Sequence, residues 1–204
     1  MKITLDGIGK RFNNREWIIR DFNYIFEPNK SYAITGSNGS GKSTLVKMIS
    51  GILPATKGQF IYENEGKPQD VEGFYKYLSY AAPYLDLVEE FTLDEMLRFH
   101  FKFKKITPGY QIGDLIEKMY LENSRNKHVG DFSSGMKQRL KLGLALFSQA
   151  SVTILDEPTS NMDERGSEWY SEQIKEVVAN RMLIVASNQA SEYTFVDNTI
   201  NLNA

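Results

Sequence analysis

The stretch Gly36-Ser37-Asn38-Gly39-Ser40-Gly41-Lys42-Ser43-Thr44 decides the fold of this 204-residue chain. Its glycines let the backbone bend so that successive N–H groups point inward, towards phosphate oxygens. Lys42 brings a point charge to the β- and γ-phosphates, and the Ser43 hydroxyl is placed to bind Mg²⁺. An apolar segment at 32–35 precedes the loop, and the spacing predicts a helix over 42–51. A chance glycine-rich turn would not need this strand and helix, so residues 36–44 are predicted to bind a nucleoside triphosphate.

A pair of carboxylates follows a second apolar segment. Residues 151–155 read as a short strand, and Asp156 and Glu157 come directly after it. Alone, this is a strand that ends in two solvated carboxylates. Beside a phosphate loop, Asp156 is placed to hold Mg²⁺ directly or through water, and Glu157 to orient and deprotonate the attacking water.

A third motif, Phe132-Ser133-Ser134-Gly135-Met136-Lys137-Gln138-Arg139, lies between these two along the chain. Ser133 and Ser134 are expected to cap a helix that begins near Gly135, which leaves free N–H groups at a positive helix end. The segment resembles the signature of the ATP-binding cassette (ABC) ATPases, usually written L-S-G-G-Q. Ser133, Gly135, Gln138 and Arg139 match, whereas Ser134 replaces the second-position glycine and Met136 the glutamine. A simple capped helix is the alternative, which the two flanking motifs count against.

The resemblance implies a site shared between two chains. The signature helix would contact the γ-phosphate bound to the opposite subunit, so that two chains enclose two ATP molecules head to tail. Asn161-Met162-Asp163 resembles the family's loop that crosses to the partner. Phe12 stands where the family stacks an aromatic ring on adenine, with a core phenylalanine as the alternative. The residues predicted to hold ATP are Phe12, Gly36, Ser37, Asn38, Gly39, Ser40, Gly41, Lys42, Ser43, Thr44, Ser133, Ser134 and Gly135; those for Mg²⁺ are Ser43 and Asp156; those for hydrolysis are Glu157, Lys42 and Asn188.

Two elements of the family pattern are missing. Pro83 stands where the family has a glutamine that senses Mg²⁺ or the lytic water, and there is no glutamine between Gln69 and Gln111. Asn188 stands where the family has a histidine on the γ-phosphate, and it cannot carry a titratable proton. Hydrolysis is therefore predicted to be slow, or to depend on a partner that completes the site.

The remaining pattern predicts an α/β fold. Strands are predicted at 2–5, 16–26, 31–35, 58–62, 76–81, 152–156, 182–187 and 194–202, and helices at 42–51, 110–121, from the signature to 148, and at 164–180. Thr92 is predicted to cap a further helix with Glu95 as its capping-box partner. The family fold implied is a P-loop NTPase core with a mostly parallel sheet, an N-terminal antiparallel β subdomain and a helical subdomain. One domain spans 1–204, with 1–83 and 133–204 as the core and about 84–132 as the helical lobe.

Composition narrows the classes of partner. The net charge is −2 and there is no cysteine, which argues against a nucleic-acid partner held by a basic field and against disulfides or cysteine-based zinc sites. The N-terminus lacks the apolar core of a signal peptide, and no apolar run is long enough to span a membrane. We therefore expect a cytoplasmic chain without direct membrane insertion, at the inner face of a membrane if another subunit crosses it.

The predicted function is that of the ATPase subunit of an ABC membrane transporter, working as a homodimer or as a heterodimer with another ABC ATPase. The lobe carries two stripes, one over Leu93, Met96, Leu97, His100 and Phe101 and one of Phe99 and Phe103. Either both stripes pack into the lobe, or Phe99 lines a groove that receives a helix of a transmembrane permease subunit. The alternatives are a soluble ABC-type ATPase on a macromolecular assembly and a module that dimerises on ATP with negligible hydrolysis.

Overall fold

The computed structural model describes residues 1–13, 16–177 and 181–203, and this part of the chain contains two β-sheets. The first sheet is antiparallel, with strand order β2-β1-β4-β5, and the second is parallel, with strand order β6-β7-β8-β3-β9. The strands are β1 Lys2–Lys10, β2 Ile19–Phe26, β3 Ser31–Thr35, β4 Lys57–Asn64, β5 Lys67–Gln69, β6 Leu78–Ala81, β7 Val152–Asp156, β8 Met182–Ala186 and β9 Asn198–Asn201. The prediction of an α/β fold with a mostly parallel sheet and an N-terminal antiparallel sheet is confirmed.

Six α-helices accompany the sheets: α1 Lys42–Ile49, α2 Val71–Phe74, α3 Leu93–His100, α4 Ile112–Lys118, α5 Ser134–Leu146 and α6 Glu164–Val177 within the described residues. The capping box of α3 is confirmed, because Glu95 N donates to Thr92 Oγ1 at 3.3 Å and Thr92 N donates to Glu95 Oε2 at 2.8 Å. The predicted end of α6, residues 178–180, lies outside the described residues.

Side chains of the parallel sheet alternate between two cores. In β7, Ile154 belongs to the core shared with α1 and the antiparallel sheet, whereas Leu155 faces the core shared with α3 to α6. In β8, Ile184 and Val185 divide in the same way. Both faces of this sheet are therefore covered, as a parallel sheet requires. The helices of the 84–132 region pack on one of these cores, and their treatment as a separate lobe stays a prediction.

Several predicted strand ends were wrong. The strand predicted over 194–202 is confined to Asn198–Asn201, because Asp197 Oδ2 accepts hydrogen bonds from Ser31 N at 2.8 Å and Ser31 Oγ at 2.7 Å and so ties the preceding turn to β3. The strand predicted over 76–81 begins at Leu78, since Tyr75–Tyr77 forms a 3₁₀ turn. The first strand runs on to Lys10, well past residue 5, as its pairing with β2 and β4 continues.

The carboxyl ends of the parallel strands meet at one edge. β3 leads into the loop at 36–41, β7 into Glu157, β8 into Ser187 and Asn188, and β6 into Pro83 and Tyr84. Ligands of open α/β sheets bind beyond this edge. Among the described helices, none is long and apolar enough to cross a membrane.

Candidate nucleotide-binding site

The loop between β3 and α1 adopts a backbone that only glycine accepts easily. Gly36, Gly39 and Gly41 have φ of 148°, 83° and 99°, in the left-handed region. A Cβ at Gly36 would lie 2.6 Å from Ser40 Oγ, and one at Gly41 would lie 2.9 Å from Ile18 Cγ2. The loop therefore has the backbone of the predicted cradle, and Ile18, just before β2, closes one side of it.

Lys42 is folded back across this loop. Its side chain is buried, and Nζ donates to Gly36 O at 2.9 Å and to Ser37 O at 3.0 Å. An ammonium group carries three donors, so these two carbonyls leave one for a further acceptor. Ser40 Oγ is buried in the same loop and lacks a hydrogen-bond partner among the described residues. The loop thus holds polar groups and a positive charge that suit a phosphate.

The first turn of α1 meets the end of β7. Ser43 Oγ donates to Asp156 Oδ1 at 3.1 Å, and Thr44 follows in the same turn, half-buried. Asp156 is 1% exposed. Burial raises the pKa of its carboxyl group, while the hydrogen bonds from Ser43 and Tyr84 act in the opposite direction. The two residues predicted to hold Mg²⁺ are therefore brought together from positions 113 residues apart.

These two oxygen donors fit Mg²⁺ in chemistry and in number. Magnesium takes hard oxygen ligands and keeps water or substrate phosphates in its remaining positions, so one hydroxyl and one carboxylate suffice. Within residues 1–13, 16–177 and 181–203, no group of three or more His, Cys, Asp or Glu side chains is placed to hold a metal. A cation at this site would therefore need the phosphates of a nucleotide.

Glu157 stands on a sharply bent backbone at the carboxyl end of β7. Its φ is 44°, which is costly for a residue with a Cβ. The bend is fixed on both sides, because Glu157 N donates to Ala186 O at 2.9 Å and Ser160 N donates to Glu157 O at 3.1 Å. The half-buried side chain thus leaves the sheet at the edge where the phosphate loop lies.

Asn188 reaches the phosphate loop from the end of β8. Its Nδ2 donates to Asn38 Oδ1 at 2.9 Å. This contact places the Asn188 side chain against the phosphate loop. An amide can donate a hydrogen bond there but cannot exchange a proton near neutral pH.

Phe12 is exposed and is not a core residue. Its ring is 64% exposed, and Lys10 Nζ lies 5.1 Å from the ring centroid. The segment returns to the site at once, since Ile18 N donates to Lys10 O at 2.9 Å and Ile18 abuts Gly41. The alternative of a core phenylalanine is therefore wrong.

The signature helix begins one residue earlier than the sequence predicts. Ser133 is the N-cap of α5, its Oγ accepting from Met136 N at 3.3 Å, and Ser134 is the first helical residue. Ser133 and Ser134 are exposed. The prediction that both serines precede the helix was wrong by one residue, because the β-region backbone ends at Ser133.

Two contacts near the start of α5 go to the segment after β7. Gln138 Nε2 donates to Pro158 O at 2.8 Å, and a Cβ at Gly135 would lie 3.4 Å from Asn161 O. Those contacts do not join 133–135 to the phosphate loop of the same chain. The phosphate loop, Asp156 and Asn188 therefore come together within one chain. The signature segment is separate from them and forms an exposed helix end.

Sequence reasoning missed two tyrosines. Tyr84 OH donates to Asp156 Oδ2 at 3.0 Å, and its hydroxyl is also hydrogen-bonded to that of Tyr80. Burial, the hydrogen bond with Tyr80 and the charge of Asp156 all raise the pKa of Tyr84, so the phenol stays protonated and donates. Only the position of Tyr84 directly after Pro83 could have indicated this contact.

A cavity of about 840 Å³ lies at the end of the parallel sheet opposite the phosphate loop. It is lined by Tyr77, Ser151 and Arg181, which stand just before β6, β7 and β8. Because the phosphate loop follows the carboxyl end of β3, this cavity is separate from the site described above.

Comparison with known proteins gives a consistent family. The family model for the ABC transporter matches residues 19–160. An uncharacterized ABC transporter ATP-binding protein, YybJ, of Bacillus subtilis is 34% identical over 149 residues, 73% of this chain and 68% of that protein. Nod factor export ATP-binding protein I of Rhizobium johnstonii is 27% identical over 193 residues, 93% of this chain and 62% of that protein. The chain thus spans about two thirds of the length of each relative.

A solved structure agrees on the fold. A putative ABC transporter ATP-binding protein of Pyrococcus furiosus superimposes with a TM-score of 0.81, covering 100% of this chain and 98% of the other at 22% sequence identity. At that identity, the likeness supports the fold alone.

Proposed function

This chain belongs to the ABC transporter family, and from that membership we propose that it is an ATP-binding, ATP-hydrolysing subunit that drives a separate transmembrane subunit. The observation that carries the proposal is the hydrogen bond between Ser43 and Asp156, which joins the phosphate loop to the acidic strand end. A nucleotide-holding loop, a Mg²⁺ position and an adjacent carboxylate, Glu157, are what hydrolysis of a phosphoanhydride needs.

Each residue of the site has a separate task. Lys42 and the loop N–H groups bind and orient the phosphates. Ser43 and Asp156 hold Mg²⁺, which when bound neutralises charge on the phosphate oxygens. Glu157 orients a water and accepts its proton, and Asn188 donates a hydrogen bond towards the γ-phosphate. Phe12 stacks on adenine.

The exposed start of α5 supports a dimer. The first backbone N–H groups of a helix have no partner within the helix, so a helix N-terminus attracts an anion, and Ser133 and Ser134 are exposed at the start of α5. We propose that Ser133, Ser134 and Gly135 bind the ATP held by a second copy or by a related ATPase. ATP then stabilises the dimer by mass action, and hydrolysis releases it.

The transmembrane partner is proposed to bind in a cavity of about 470 Å³ beside the helical region. Its lining combines the end of α1, the β6–α3 connection and one face of α3; Gly51, Ile52, Tyr80, Leu85, Leu87, Met96 and His100 contribute. Phe99 and Phe103 are exposed and stack edge to face 5.3 Å apart, but they are not among the described residues that line this cavity. A short helix of the permease would therefore meet the Met96–His100 face. We propose that the chain lies at the cytoplasmic face of the membrane when it is bound to this partner.

Co-fractionation tests the partner. We expect the chain to sediment with membranes when a hydrophobic permease is co-expressed, and to be released in its absence. Recovery with a large macromolecular assembly, independent of membranes, would favour the alternative of an ABC-type ATPase that acts off the membrane.

Asn188→His is expected to raise ATP turnover by up to about 10²-fold, the lower end of what a positioned proton-transfer group contributes. The reason is that Asn188 lies against the phosphate loop but cannot exchange a proton. Steady-state phosphate release by purified chain gives the rate, with Asn123→His, at an exposed turn, as the matched control. A wild type that turns over at about 10 s⁻¹ without a partner, typical of enzymes, would contradict the proposed slow hydrolysis.

Phe12→Ala is expected to weaken ATP binding about tenfold, since base stacking on an aromatic ring contributes roughly 1–3 kcal/mol. Calorimetric titration with ATP measures the change, and Phe12→Tyr should keep the wild-type affinity. Phe103→Ala is the matched control, because its ring is also 64% exposed. Equal losses in both alanine variants would rule out stacking at Phe12.

A further inference from the structure

We propose that Tyr84 is the positioning residue of the Mg²⁺ site, and that with Tyr80 it links this site to the cavity beside α3. This inference rests on the proposed function. It concerns the residue directly after Pro83, which stands at the place of the family's usual glutamine. Pro83 has neither an amide N–H nor a polar side chain, so it cannot make the hydrogen bonds of a glutamine.

The geometry divides the Asp156 carboxylate between two donors. Ser43 Oγ donates to Oδ1 at 3.1 Å, and Tyr84 OH donates to Oδ2 at 3.0 Å. A bound cation would take a lone pair of the Ser43 oxygen and leave its O–H free to donate. Tyr84 would hold the other carboxylate oxygen, so that the buried carboxylate keeps one orientation. Partners of this kind around a metal-binding carboxylate raise metal affinity.

Tyr84 is held at its ring and through the turn that carries it, although the residue is 44% exposed. Lys47 Nζ, on α1, lies 3.7 Å from the ring centroid, a close cation–π contact. The turn that carries the ring is tied down, since Leu85 N donates to Ala82 O at 3.2 Å and Lys141 Nζ donates to Pro83 O. The hydroxyl is therefore aimed at Asp156 by contacts from α1 and α5.

Tyr80 continues the connection away from the metal position. Its hydroxyl is hydrogen-bonded to that of Tyr84, and its side chain lines the 470 Å³ cavity, together with Leu85 and His100. A chain of direct contacts thus runs from this cavity through Tyr80 and Tyr84 to Asp156. An occupant that displaces Tyr80 would disturb the hydrogen bond that Tyr84 donates to Asp156.

The test measures Mg²⁺ dependence of nucleotide binding, not turnover. Dissociation constants of a fluorescent, non-hydrolysable ATP analogue are compared in excess Mg²⁺ and in EDTA. Tyr84→Phe, which keeps the ring over Lys47, is expected to lower the gain from Mg²⁺ about tenfold, with unchanged affinity in EDTA. Tyr80→Phe keeps the donor on Asp156 and should cause a smaller loss. Tyr120→Phe, another exposed tyrosine at 55%, should behave as wild type.

The outcomes separate this inference from the proposed function. A wild type that binds no analogue in either condition would overturn the proposed function and the inference with it. A wild type with a clear Mg²⁺ gain that Tyr84→Phe leaves intact overturns the role of Tyr84 alone. If Tyr80→Phe lowers the affinity gain from Mg²⁺ as much as Tyr84→Phe does, the proposal that Tyr84 contacts Asp156 directly and Tyr80 acts through Tyr84 is overturned.

Discussion

Replacement of Glu157 by glutamine is expected to lower ATP turnover by about 10²–10⁴-fold, the range that a positioned general base contributes, while ATP binding persists. Glutamine keeps the size of the side chain and one acceptor oxygen, but its amide cannot accept a proton. The backbone should not respond, because the bend at φ 44° is fixed by hydrogen bonds to Ala186 O and from Ser160 N. The loss therefore falls on the chemical step.

The measurement compares steady-state phosphate release with ATP affinity for wild type and Glu157→Gln. Glu172→Gln, which removes an exposed carboxylate on α6, is the matched control and should keep wild-type turnover. Because the nucleotide is retained, Glu157→Gln should also accumulate as an ATP-bound dimer in size-exclusion chromatography. Unchanged turnover in Glu157→Gln would show that another group takes the proton. An undetectable rate in the wild type, with intact ATP binding, would favour the nucleotide-gated dimerisation module.

The parts of the site carried by local sequence could be predicted. A glycine-rich loop between a strand and a helix has one physical solution, since positive φ at Gly36, Gly39 and Gly41 is accessible without strain only to glycine. The strand that ends at Asp156 was equally visible, because all five of its residues are buried and Val152, Ile154 and Leu155 are apolar. The same logic placed the capping box of Thr92 and Glu95.

Contacts between distant side chains could not be predicted. Tyr84 and Asp156 are 72 residues apart, and no periodicity or spacing relates them. The buried Glu192 is a similar case, because its Oε1 accepts from Thr159 N at 2.8 Å and also from Thr159 Oγ1, across 33 residues. Such pairs depend on where two strand ends meet, which only the assembled sheet determines. The face of α3 that borders the cavity was missed for the same reason.

The stability of the protein is expected to fall steeply below pH 6.5 because of one histidine. His100, at the end of α3, is largely buried, and its Nε2 lies 2.9 Å from Ser148 Oγ. Burial and, to a smaller extent, the charge of the nearby Lys104 ammonium lower the pKa of its imidazole to about 4. The unfolded chain, with a pKa of about 6.5, then binds more protons than the folded one between about pH 4 and 6.5. The free energy of unfolding should therefore decrease by about 3 kcal/mol as the pH falls through this window, and should be fully restored above it.

Urea denaturation at pH 7 and at several values down to pH 4.5 measures this slope. His100→Gln, which can still hydrogen-bond Ser148 but does not titrate, should be less stable than wild type at pH 7 and should lose much of the decrease on acidification. His128→Gln is the matched control, because the His128 ring is exposed and bonded to Glu90 O at 2.9 Å. Carboxylates titrate in all three proteins, so the difference between the two variants isolates the buried imidazole. Parallel slopes for both variants would mean that His100 gains a proton in the folded protein as readily as in the unfolded chain, and that the core beside α3 admits water.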